Sequence, residues 1–142
     1  MKPSMVETYL FFGGRCEEAM QFYQKALGAK VIMQMKFSES PQPVPADRIP
    51  PGFQDKIMHA SLSIGSTRIM VSDGCDVNTP HTGFSLAFSV DNEPEAHRAF
   101  AALAEGGKVT MPLTKTFWSP CYGLVEDRFG INWMVMVPGE MG

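Results

Sequence analysis

Residues 17–33, EEAMQFYQKALGAKVIM, and residues 95–111, EAHRAFAALAEGGKVTM, decide how this 142-residue chain folds. A shift of 78 positions lays Glu17 on Glu95, Phe22 on Phe100 and Gly28 on Gly106, then Lys30, Val31 and Met33 on Lys108, Val109 and Met111. Matches at one fixed spacing mark an internal duplication. In the first copy Ala19, Phe22, Tyr23 and Ala26 recur at helical spacing, so residues 16–27 form an amphipathic helix. Glu17 and Glu18 fall in its first turn and Lys25 in its last, as the helix dipole favours, and Gly28 stops it. In the second copy Pro94 suits a first helical turn, Asp91 or Asn92 supplies the cap, and Gly106-Gly107 ends the helix.

Working outward, residues 6–12 (VETYLFF) are rich in strand formers and end at Gly13-Gly14. A strand over residues 29–37 follows the helix, then a hairpin of residues 56–64 and 67–72 about Gly65-Ser66. The second half repeats the order with strands at 84–90, 108–114, 122–126 and 131–137, the last two joined by the turn Asp127-Arg128-Phe129-Gly130. Strand, helix and three strands, written twice, give an α+β chain of two βαβββ modules. Module one covers about residues 1–75 and module two about 83–142, joined near 76–82 within a single domain. Modules this small are marginal alone, so a shared core or a partner chain is expected. Residues 38–54 hold five prolines and form a long loop rather than a helix or central strand.

Composition excludes several classes. Twelve basic residues are outnumbered by 15 acidic ones with no basic run, which argues against nucleic-acid binding. No apolar stretch approaches the roughly 20 residues of a membrane span, and Glu7 interrupts the N-terminal apolar stretch, so no signal peptide is read and a cytoplasmic location is expected. Cys16, Cys75 and Cys121 are too few and too far apart for a disulfide framework or a CxxC site, and are expected as free thiols. The 11 methionines suit an adaptable pocket or a dimer interface.

Period-2 alternation separates the strand faces. Met58, Ala60, Leu62 and Ile64 oppose His59, Ser61 and Ser63. Leu86, Phe88 and Val90 oppose Ser85, Ala87 and Ser89, while Ile131, Trp133, Val135 and Val137 oppose Asn132, Met134 and Met136. The apolar faces are expected to pack on the helices. The others carry serine, methionine and one histidine instead of the lysine and glutamate of wet surfaces, a composition that suits a cavity wall.

The residues 9–19, YLFFGGRCEEA, with Phe22-Tyr23, Leu27-Gly28, Met58-His59-Ala60, residues 69–73 (IMVSD), Thr116-Phe117-Trp118 and Asp127-Arg128-Phe129-Gly130 with Trp133, carry a resemblance. Together they resemble the vicinal oxygen chelate superfamily of glyoxalase I, bleomycin resistance proteins and extradiol dioxygenases. Within it the chain is similar to the PhnB-like proteins, which often bear a 3-demethylubiquinone-9 3-methyltransferase label. No glycine-rich nucleotide loop or doubly wound α/β alternation supports that label here.

The resemblance implies two half-barrel cups, a homodimer, and a small molecule bound in the cup. Metal-dependent relatives hold a divalent metal with four ligands, from the first and last strand of each module. Here those strands offer Glu7, Thr8 or Tyr9, then Met70, Val71 or Ser72, then Ser85, then Met134. Only Glu7 is a good ligand, so the standard metal set is absent and the cofactor is left unknown. His59 is the candidate catalytic residue, as a general base or a single ligand, against a purely structural role. Tyr9, Ser85, Phe117, Trp118, Tyr122 and Met134 are the candidate ligand-binding residues. Phe117 and Trp118 either close over the cup or plug its mouth. Many subfamily members carry an acidic residue and an arginine shortly after this tryptophan, where Ser119-Pro120-Cys121 stand here. Cys121 is the cysteine to test for reactivity. His81 and His97 are given no role, and Asp73 is read chiefly as a turn residue. Three functions stay open: a small-molecule binder without chemistry, a metal-dependent lyase, isomerase or dioxygenase using His59 in a nonstandard site, or a dimer with a vestigial cup.

Overall fold

The computed structural model describes residues 4–42, 51–74 and 79–139. Cys75, the prolines Pro43, Pro45 and Pro50, and part of the joining segment lie outside them. The chain divides into two compact units, Met1–Thr79 and Pro80–Gly142.

The first unit runs β1 (Thr8–Phe11), α1 (Cys16–Leu27), β2 (Lys30–Lys36), β3 (Ile57–Ile64) and β4 (Thr67–Ser72), with a single 3-10 turn at Phe37–Glu39 after β2. Its sheet has the order β1-β4-β3-β2, in which β1 runs parallel to β4 and the other pairs are antiparallel. The second unit repeats this with β5 (Leu86–Ser89), α2 (Glu93–Ala104), β6 (Lys108–Thr114), β7 (Cys121–Glu126) and β8 (Asn132–Val137), in the order β5-β8-β7-β6.

The 78-residue shift carries β1 onto β5 and β2 onto β6 end to end. From β4 to β8 the shift is 65, because the proline-bearing connection from β2 to β3 is longer than the β6–β7 loop. The register also repeats. A bulge interrupts the β2–β3 ladder between Val31 and Met33, and another interrupts β6–β7 between Val109 and Met111. The identical letters of the duplication therefore bracket the same bulge twice. An extra residue there raises the local twist and bends the strand, which curls each sheet.

Each helix covers one sheet face. Ala19, Met20, Tyr23 and Ala26 of α1 are buried with Leu10, Ala60, Leu62 and Val71, and Ala96, Ala99, Phe100 and Leu103 of α2 are buried with Val125, Trp133 and Val135. Gly28 ends α1 at φ 69°, a left-handed conformation that favours glycine. Asn92 is the α2 cap, its side-chain oxygen accepting from Glu95 N at 2.9 Å. α1 has no such neighbour. Its cap is Asp73, whose buried carboxylate accepts from Gly14 N (2.7 Å), Cys16 N (2.9 Å) and Ile57 N (3.0 Å). The expected turn residue is thus a remote clamp between α1 and β3. Asp127 does similar work in the second unit, accepting from Phe129 N, Ile131 N and Trp133 Nε1.

Two details of the strand reading need correction. β5 begins at Leu86, so Ser85 lies just ahead of the strand and is exposed. In β3 the buried residue at the first end is Ile57, while Met58 is half-buried, because a second register shift between Met35 and Lys36 changes the alternation there.

Candidate functional site

The sheet faces turned away from the helices hold most of the candidate residues. Register sets them in rows, since paired residues share a face. On the first sheet Tyr9 pairs with Met70, Met70 with Ser61, and Ser61 with Met33. The neighbouring row holds Phe11, Ser72, His59 and Met35. Tyr9 stacks on Phe11 with ring centroids 4.8 Å apart, and its hydroxyl lies 3.0 Å from His59 Nδ1. This contact reaches diagonally across β4, which β1 and β3 flank. His59 is half-buried, and Tyr9 is 36% exposed. With Nδ1 occupied, Nε2 is the ring's other hydrogen-bonding atom.

At the entry to β1, Glu7 meets Arg68 of β4 in a bidentate pair, 2.6 Å at both oxygens. The guanidinium's hydrogen bonds hold the Glu7 carboxyl below its ordinary value. Both oxygens are committed, so the one good metal ligand on the expected list is spent on Arg68.

On the second sheet the corresponding rows are Ala87, Met134, Leu124 and Met111, then Ser89, Met136, Tyr122 and Thr114. Tyr122, Met134 and Met136 are half-buried, whereas Ala87 and Ser89 at the edge are exposed. Trp118 packs edge-on against Tyr122 at 5.4 Å, and Phe117 packs edge-on against Trp118 at 4.7 Å. Phe117 is 83% exposed, so within its own unit it is not a plug.

The β6–β7 loop is held by its own hydroxyls. Thr116 Oγ1 accepts from Ser119 N at 3.0 Å, and the buried Ser119 hydroxyl reaches the carbonyls of Cys121 and Val137 at 2.8 and 2.6 Å. At Ser119-Pro120-Cys121 this chain has a turn that fixes the loop to β8. Cys121 is buried and faces α2. Burial, and then the Glu93 carboxylate, push its thiol above the ordinary value, the opposite of an activated thiolate. Cys16 is fully buried and its thiol is raised for the same reason.

The structure therefore brings Tyr9 and His59 together, and Phe117, Trp118 and Tyr122 together, while Ser85 stands apart from its strand. The four-ligand metal of the resemblance does not fit. A phenol at Tyr9, thioethers at Met70 and Met134 and the Ser85 hydroxyl form no donor set for a hard divalent ion. Two hollows lie elsewhere, one of about 350 Å³ beside Glu17, Glu18 and Asp55, the other of about 380 Å³ beside Glu93, His97 and Cys121. The second brings together a cysteine and a histidine that sequence spacing does not connect.

Comparison with known proteins agrees with this architecture. The chain is similar to protein YjdN of Escherichia coli, 36% identical over 138 residues that cover 93% of this chain and 94% of that protein. Its structure is similar to that of protein PA1353 from Pseudomonas aeruginosa, with TM-score 0.83 and 39% identity over 97% of this chain and all of that one. It is also similar to a Bacillus cereus PhnB protein described as a putative 3-demethylubiquinone-9 3-methyltransferase, with TM-score 0.78, 26% identity and coverage of 94% and 99%. A family model matches residues 6–135, nearly the whole chain, and with the duplicated βαβββ units it establishes that the chain belongs to the Glyoxalase/Bleomycin resistance protein/Dioxygenase superfamily.

Proposed function

We propose that the protein binds a small organic molecule against the sheet faces turned away from the helices, without the standard four-ligand metal. The observation that carries this reading is the make-up of those faces. Half-buried methionines and aromatic rings surround a few polar groups, chief among them His59 held by Tyr9. Ligand sites have this composition, with apolar walls and a few placed polar atoms that fix orientation. On the first unit's face Tyr9 supplies a wall and His59 the orienting or proton-accepting group; on the second unit's face Phe117, Trp118, Tyr122 and Met134 supply the walls and Ser85 a margin. A weakly charged, partly aromatic ligand suits this lining.

The reading includes a cytoplasmic homodimer. Tyr9, Phe11, Ile32 and Met33 in the first unit, and Phe84, Val109 and Phe117 in the second, are large apolar residues left exposed. Cys16 and Cys121 are free thiols, in keeping with a reducing compartment. Among the described residues no helix is long and apolar enough to cross a membrane. Sedimentation should give a dimer at micromolar concentration, and a monomer there would remove that part of the reading.

The main test is a thermal-shift screen with small aromatic and amphipathic compounds. A true ligand at a hundred times its Kd adds about 2.7 kcal/mol to stability. Tyr9→Phe should reduce that gain for a ligand on the first unit's face and Trp118→Ala for one on the second's, and a ligand whose effect survives both would count against these faces as the site. Stoichiometric zinc, nickel, manganese or iron in protein purified without chelator, lost in His59→Ala, would replace the binder by a metal-dependent lyase, isomerase or dioxygenase.

A further inference from the structure

We propose that Glu93, His97 and Cys121 form a binding site for a thiophilic divalent cation, zinc by its chemistry, on the helix side of the second unit. The three residues come from two elements. Glu93 and His97 are one turn apart on the first turns of α2, where a spacing of four puts both side chains on one face. Cys121 opens β7 and points at that face, since it shares its parity with Gly123, where a β-carbon would point straight at the Phe100 ring of α2. One donor atom from each lies within 4.8 Å of the other two.

The donor set is selective. A thiolate, an imidazole and a carboxylate are the ligands zinc takes, at about 2.3, 2.0 and 2.0 Å, and three of them leave a fourth tetrahedral position for water. Tetrahedral geometry at those lengths needs donors about 3.3–3.5 Å apart. Glu93 and His97 are exposed and close the remaining gap by side-chain rotation, while Cys121 is fixed.

The residues are also available. The Cys121 residue is 2% exposed, and its backbone groups, not its sulfur, make the hydrogen bonds to Ser119. Among the described residues neither Glu93 nor His97 makes a side-chain hydrogen bond or ion pair. Glu95, two residues on, is instead occupied by Arg98. A buried thiol without a partner, facing an unengaged carboxylate and imidazole in a hollow of about 380 Å³, gathers three donors within reach of one ion. Lys115 lines the same hollow and the positive end of α2 is close, and both oppose a cation. Two anionic ligands against one divalent ion offset that opposition. On binding, the thiol proton goes to solvent and the sulfur bonds the ion, with no redox change.

Cobalt(II) titration of the full-length, chelator-stripped protein tests this. Cobalt in such a site shows intense visible bands of tetrahedral geometry and a near-ultraviolet thiolate-to-cobalt charge-transfer band, at one ion per chain, and zinc should displace it. Cys121→Ser should abolish the charge-transfer band. Because Cys121 is buried and its variant is at risk of not folding, His97→Gln and Glu93→Gln at exposed positions provide the second arm. Each should weaken cobalt binding by at least about tenfold, the low end of what even an outer-sphere substitution costs a metal site. Cys75→Ser should leave the band intact. No thiolate band, or a band that survives His97→Gln at full affinity, would overturn the proposal. Metal lost in His59→Ala but kept in His97→Gln would do so too, and would mark a different site.

Discussion

The Tyr9 hydroxyl on β1 stands 3.0 Å from Nδ1 of His59 on β3, across the strand that separates them. A phenol is a better donor than acceptor, so the neutral imidazole should carry its proton on Nε2 and accept at Nδ1. Nitrogen NMR of the His59 ring should show that tautomer. Tyr9→Phe should shift it toward a mixture at a stability cost of about 0.5–1 kcal/mol. A wild-type ring protonated at Nδ1 would contradict the assignment.

Asp73 binds three backbone N–H groups from two elements. Asp73→Ala leaves those buried donors without an acceptor and should cost about 3–5 kcal/mol in urea denaturation. Asp73→Asn should fall between, because the amide keeps one acceptor oxygen and turns an N–H toward a donor. A loss below about 1 kcal/mol for the alanine variant would refute the clamp.

Glu7 provides a pH test. Its folded-state pKa is lowered by Arg68, so the stabilisation it confers is complete above the ordinary glutamate value and fades as pH falls through the lowered one. Thermal denaturation of wild type and Glu7→Gln should therefore differ at neutral pH and converge in acid. A gap that stays constant across that range would show that the pair contributes nothing through its charge.

Gly123 sits on the helix face of β7, where a methyl group would come within 2.9 Å of the Phe100 ring and 3.0 Å of Leu113. Gly123→Ala should destabilise the protein by about 1–3 kcal/mol through overpacking. Phe100→Leu should recover part of that loss by removing the ring edge, and a double variant no better than the sum of the two would locate the strain elsewhere.

The duplication, both helices and nearly every strand were legible in the letters. Local rules govern them: helical spacing at Ala19, Phe22, Tyr23 and Ala26, alternation in β8, and glycine stops at Gly28 and Gly106. The bulges were not read from the letters; the structure places them between Val31 and Met33 and between Val109 and Met111, inside the repeated segment. The strand faces could be sorted by parity alone. The exception was the start of β3, where Ile57 replaces Met58 because Met58 is an extra residue of β3 opposite the consecutive pair Met35-Lys36, and the alternating letters do not show it.

Contacts between distant segments had no such signal, and tertiary structure decided them. Nothing in sequence spacing says that Tyr9 meets His59, that Arg68 takes both oxygens of Glu7, that Asp73 caps a helix 57 residues away, or that Cys121 faces Glu93 and His97. Each depends on which strands lie side by side and on how far α2 leans over β7. Composition and periodicity determine which faces are apolar, because burial follows a local repeat. Which polar groups meet is fixed only when the sheet order brings them within hydrogen-bonding or ligand distance, and there the candidate chemistry of this protein lies.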